Sequence, residues 1–193
     1  MNKLEHYIPS QAKNKIFEWL ENYQCNLKIC SPRLSKLGDY QYKNKKHFIS
    51  VNDNLNPYSF LITLTHEIAH MMVFNEYGHK VKPHGYEWKM TFQKLMLNFI
   101  PLFPIDIQRE ISRHIKNPKA STTSDPSLIT VLENYNTTTI LRICNIKDGT
   151  KFYTDNGKEY VRLHKVRTRI KCKNLKNNKL YLFNPICSIH LKK

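Results

Sequence analysis

The chain has 193 residues, 40% of them hydrophobic and 11% aromatic, and a formal net charge of +16. That composition suits one folded domain, or one domain with a small appendage, and excludes a wholly disordered chain. The N-terminus has no apolar signal region, the apolar runs are too short to span a bilayer, and the five cysteines form no C-x-x-C pair, so the expectation is a cytoplasmic protein with free thiols and no membrane partner.

Ser10 can cap a first helix whose apolar face is Ile16, Phe17, Trp19, Leu20 and Tyr23, ending near Cys25. Strand-like runs follow at residues 27–30, 36–42 and 47–51, separated by Ser31-Pro32 and a polar turn at 43–46. Asn56-Pro57 leads into a long helix near residues 58–75, with Phe60, Leu61, Leu64, Ile68, Met71 and Met72 on or beside one face as core positions. Gly78 can end it, because glycine takes the left-handed conformation a helix C-terminus uses. The next helix starts near His84 or Gly85, passes Trp88, Phe92, Leu95, Met96 and Phe99, and stops at Pro101 and Pro104; residues 105–115 add a short amphipathic helix.

Residues 117–127, with prolines and small polar side chains, read as a linker between a domain at 1–116 and a basic β-rich module at 128–193. In that module, strand-like runs at 138–144, 151–153, 159–172 and 179–183 are separated by Asp148-Gly149, Asn156-Gly157 and Asn177-Asn178.

His66-Glu67-Ile68-Ala69-His70 falls inside the long helix. Residues four apart share a helical face, so His66 and His70 can offer two imidazoles to one metal ion while Glu67 reaches a water bound to it. A catalytic zinc site takes three protein ligands and keeps a position for water. The candidates for the third are His79, His84 and Glu87; His84, at the start of the next helix, can swing back to the same face, whereas His79 sits in a turn. Glu87, with Trp88, is then a candidate to support a ligand from behind. Zinc held this way lowers the pKa of bound water to about 7 and polarises a carbonyl, with Glu67 as general base.

The motif, thirteen intervening residues and His84-Gly85-Tyr86-Glu87-Trp88, together with Lys36-Leu37-Gly38-Asp39-Tyr40 and residues 51–57, resemble the SprT-like family of zinc metallopeptidase domains, related to the Spartan proteases that degrade protein crosslinked to DNA. The resemblance covers residues 10–115. It implies an α+β, zincin-like fold with an N-terminal helix, a short antiparallel sheet and an active-site helix pair. It further implies one zinc ion on His66, His70 and His84, Glu67 as catalytic base, and a protein substrate. Many members end in a zinc ribbon with paired cysteines; Cys172 and Cys187 stand alone here, which implies a C-terminal module without a second zinc.

The last 54 residues hold fourteen Lys and Arg against three acids. Such a segment attracts polyanions, nucleic acid first. Arg162, Lys165, Arg167, Arg169, Lys171 and Lys173 alternate with apolar residues, which puts charge largely on one face of a strand, with Tyr153, Tyr160, Tyr181 and Phe183 near enough to stack on bases. The expectation is therefore a monomeric zinc metallopeptidase that acts on protein and binds DNA. A DNA-binding protein with a structural or idle zinc site is the reading from another class, and Glu67 argues against it, since a structural site has no use for a general base. A zinc hydrolase of non-peptide substrates is a third reading.

Overall fold

In the computed structural model, residues 4–33, 35–119, 125–137 and 141–191 are described. They form a mixed α+β protein of five α-helices and two sheets that divides into two compact units, residues 1–137 and 138–193.

The first unit is built around one helix. After a 3-10 turn at Ser10–Ala12, α1 spans Lys13–Asn22, followed by β1 (Asn26–Cys30), β2 (Gly38–Lys43), β3 (Lys46–Asn52) and α2 (Pro57–Tyr77). Local signals fix the ends of α2: the Asn56 side chain accepts a hydrogen bond from the Ser59 N–H at 2.9 Å, Pro57 occupies the first turn, and Gly78 closes it at φ +60°. Phe60, Leu61, Ile62, Leu64, Ile68, Ala69, Met71 and Val73 are all buried, so apolar side chains surround the helix rather than striping one side, the pattern of a core helix. Against it lie β2, β3 and α3 (Tyr86–Leu97).

The sheet runs β1-β3-β2 and is mixed. β2 pairs with β3 antiparallel across the tight turn at Asn44 and Lys45, both at positive φ, but β1 pairs with β3 in parallel. The expected antiparallel sheet is thus corrected. The segment between β1 and β2 carries the chain across β3, so β1 lies parallel to β3 and β2 is left on the edge beside α2.

The boundary between units also differs from the expected one. α4 (Ile105–His114) is followed by α5 (Pro126–Glu133), which packs Leu128 and Leu132 into the core of the first unit. Burying each is worth about 1.5–3 kcal/mol. Polar ties hold the helix there as well: His114 Nδ1 lies 3.0 Å from Asp125 Oδ2, and Asn56 donates from Nδ2 to the Leu132 carbonyl at 2.8 Å and to Asn136 Oδ1 at 2.7 Å. The expected linker therefore runs into a helix of the first unit; its residues 120–124 lie outside the described residues.

The second unit is a four-stranded antiparallel meander of β4 (Lys151–Tyr153), β5 (Glu159–Val166), β6 (Arg169–Asn174) and β7 (Leu180–Phe183). One face packs Phe152, Tyr160, Ile170 and Cys172 against Ile143 and Ile189. Two expected strands are corrected. The run at 159–172 is a hairpin that reverses at Arg167, which sits at φ +53°. Of the run at 138–144, residues 138–140 lie outside the described residues, and Ile143 enters a 3-10 turn at Ile143–Asn145. All five cysteines are unpaired. Among the described residues, no helix is long and apolar enough to cross a membrane.

Candidate metal centre

The helical spacing of His66 and His70 directs both imidazoles toward the start of α3. His84 meets them from the turn before that helix, at φ +56°, a left-handed conformation that folds its side chain back over α2. The three Nε2 atoms form a triangle with sides of 3.1 Å (His66 to His84), 3.2 Å (His66 to His70) and 2.9 Å (His70 to His84). Hydrogen bonding cannot account for this closeness, because each Nε2 either carries a proton and donates or lacks one and accepts, so at least one side of the triangle must set two donors or two acceptors together. A shared cation can: a tetrahedral zinc ion with Zn–N of 2.0–2.1 Å holds its nitrogens about 3.3 Å apart. Among the described residues this is the one group of three or more His, Cys, Asp or Glu that can hold a metal ion.

Burial matches the chemistry of the donors. Burial and the other imidazoles push the His66 pKa down to about 2; burial and His84 take His70 down to about 4; burial lowers His84. All three rings are neutral at physiological pH, the form that ligates a metal. Trp88, 1% exposed, lies against all of them, its ring centroid 4.5 Å from His66, 5.3 Å from His70 and 4.7 Å from His84, and it stacks in turn on Phe92.

Glu67 opens onto the same cleft, about 390 Å³, lined by residues 35–40 on the β2 side and by Thr63, His66, Glu67, His70 and His84 on the other. Only 7% of it is exposed. Burial, then the Asp39 carboxylate, pushes its pKa up to about 8, against the pull of Arg33, Lys36 and the Tyr40 backbone N–H. A carboxyl group in this setting binds a proton more readily than an exposed one does. Asp39 is itself held by Lys36 Nζ at 2.9 Å and Gln41 Nε2 at 2.6 Å.

A comparison with family models matches residues 7–109 to the SprT-like family, more than half of the chain. The chain belongs to the SprT-like family. The match spans α1, the mixed sheet, α2 and α3, and so contains the whole histidine triangle and Glu67. It agrees with a metallopeptidase-like function for the SprT-like domain.

The structure distributes the other expected site residues unevenly. Glu87 is half-buried and, among the described residues, makes no hydrogen bond to the triangle; His79 is exposed, with its ring 5.1 Å from Phe74. In the sequence, the cleft wall from Lys36 to Tyr40 reads as part of a strand and of the family resemblance, with no site role of its own. Its one usable signal was Gly38, an isolated glycine inside a strand pattern, which marks close approach of another group.

Of the six basic candidates, Arg169, Lys171 and Lys173 share the open face of β6, since Ile170, Cys172 and Asn174 alternate with them and are buried. Cross-strand pairing places His164, Val166, Leu180 and Leu182 on the same face. Arg162 instead lies opposite Cys172 on the packed face and is paired with Asp148; Lys165 lies opposite Ile170; Arg167 is in the hairpin turn. The expected single charged face is thus corrected: a bulge between Arg162 and His164 shifts the strand's alternation, and the turn splits the run.

Proposed function

We propose that this chain is a zinc-dependent metallopeptidase with a zincin-like catalytic domain, and that its C-terminal unit brings it to DNA, so that its substrates are DNA-associated or DNA-crosslinked proteins. The observation that carries the catalytic part is the position of Glu67: one residue after His66, on the cleft side of α2, buried beside the three converging Nε2 atoms. A structural metal site gains nothing from such a group.

His66, His70 and His84 would hold the ion, with Trp88 fixing their rings from below. A bound zinc ion supplies Lewis-acid polarisation of a carbonyl and activation of water at neutral pH. The chain's own part is the proton: Glu67 accepts it from the attacking water and returns it to the leaving amine. Edge strand β2 and the turn at His84 bound the cleft in which an extended peptide would lie. For the DNA-binding part, support comes from the open face of β6, where Arg169, Lys171 and Lys173 stand together beside exposed Leu180 and Leu182.

The test is cleavage of a basic protein substrate bound to DNA, with zinc present, by the parent chain and by Glu67→Gln. The parent is expected to cleave it. Glu67→Gln is expected to keep one zinc per chain, measured by elemental analysis, and to lose about 100-fold or more of the rate. Equal cleavage by the two proteins would refute the assignment.

A further inference from the structure

We propose that Gly38 is a positioning residue for Glu67, a bare patch of strand against which the carboxylate is seated; this rests on the reading of Glu67 as general base. Gly38 opens β2, the edge strand beside α2, and pairs with Val51 of β3. A Cβ placed on it would lie 2.6 Å from Glu67 Oε1, 2.8 Å from Glu67 Cγ and 2.8 Å from Thr63 Cγ2. Real Cβ atoms do not approach other heavy atoms that closely, so something must give way by roughly 0.6–0.8 Å to restore ordinary contact.

The carboxylate oxygen alone could swing aside. Cγ moves only if the side chain leaves its χ1 rotamer, because it stands one bond from the Cβ of a residue in the middle of α2, and the Thr63 methyl one turn earlier meets the same added atom. An added methyl would therefore rotate Glu67 away or lift β2 from α2. The first movement takes the carboxylate from its place beside the triangle, and both part it from the Tyr40 N–H, which acts on it from two residues along the strand. The glycine at this position is explained by that approach, since its backbone does not lie in the left-handed region where glycine is favoured.

Two measurements test the seat. In kinetics, Gly38→Ala is expected to lower kcat by about 100-fold, the cost of a misplacement approaching 1 Å, with KM and zinc affinity within about threefold of the parent because the imidazoles are untouched. In thermal unfolding, a double-mutant cycle in a Thr63→Ser background, which removes the second contact, pairs Gly38→Ala with Glu67→Ala. The melting temperature lost on adding Gly38→Ala should fall by at least half once Glu67 is truncated. Additive losses, or an unchanged kcat in an active parent, would overturn the seat and leave the peptidase reading standing. An inactive parent would instead sink the peptidase reading, while the unfolding cycle still decides whether Glu67 rests on Gly38.

Discussion

His84 shows what a single backbone conformation contributes to the centre. At φ +56° it occupies a region that is sterically costly for most side chains, and the turn is closed by a hydrogen bond from the Gly85 N–H to the Lys82 carbonyl at 2.9 Å. The strain is tolerated because it brings Nε2 within 2.9 Å of His70 and 3.1 Å of His66. Ligand and conformation can be separated by substitution. Asn also accepts the left-handed region, so His84→Asn should leave the melting temperature of the metal-free protein nearly unchanged while weakening zinc binding more than about 100-fold in a chelator competition, beyond the loss expected for an outer-shell change. His84→Val should lose the same affinity and also destabilise the metal-free protein by about 1–2 kcal/mol, since a β-branched residue fits this region poorly. Metal-free proteins of equal stability would show that the turn carries no strain.

At the scale of elements, α5 is the piece that completes the first unit. Asp125 does two jobs at its start, accepting from the Leu128 N–H as a cap and facing His114 Nδ1 at 3.0 Å. Burial alone would raise its pKa, but the hydrogen bonds from His114 and Leu128 outweigh it, and the net shift is downward from 3.8. A carboxylate with a lowered folded pKa contributes stability above its unfolded value and loses it as pH falls through the folded one. Asp125→Asn keeps a capping oxygen but not the charge, so it should be less stable than the parent at pH 7, with the gap closing below about pH 3.8 in urea titrations. Asp125→Ala should cost about 1 kcal/mol more through the lost cap. A gap independent of pH would remove the charge from the account. The helix is legible in the sequence, where Asp125-Pro126 followed by Leu128, Ile129 and Leu132 carries a cap, an N-terminal proline and helical spacing, but the prolines and serines around its start have the composition of a linker. By contrast, α2 and the pair His66 and His70 were plain from periodicity, because a helix writes its own face into the sequence. The parallel pairing of β1 and the bulge after Arg162 were not, since register between strands is set by contacts distant in the chain.

At the scale of the whole molecule, the excess of positive charge and the histidine triangle lie in different units: His66, His70, His84 and Glu67 fall within residues 1–137, while fourteen Lys and Arg against three acids give the last 54 residues +11 of the net +16. If the C-terminal unit serves as the polyanion surface, its basic residues should differ in kind according to the face they occupy. Arg169, Lys171 and Lys173 stand on the open face of β6, free of the sheet's packing, whereas Arg162 is largely buried and paired with Asp148. Neutralising the first three together, as Arg169→Gln, Lys171→Gln and Lys173→Gln, removes up to three phosphate contacts. The dependence of log affinity on log salt should then become shallower by about 2 to 3, at about 0.9 per contact on duplex DNA and 0.7 on single strands, with the melting temperature nearly unchanged. Arg162→Gln should do the reverse, leaving the salt slope as it was and destabilising the unit, because Asp148 loses its partner and a packed position gains a poorly matched amide. A triple variant that binds DNA with the parent's slope would place the phosphate contacts elsewhere on the chain. A parent whose binding ignores salt would mean that the positive charge serves some purpose other than nucleic acid.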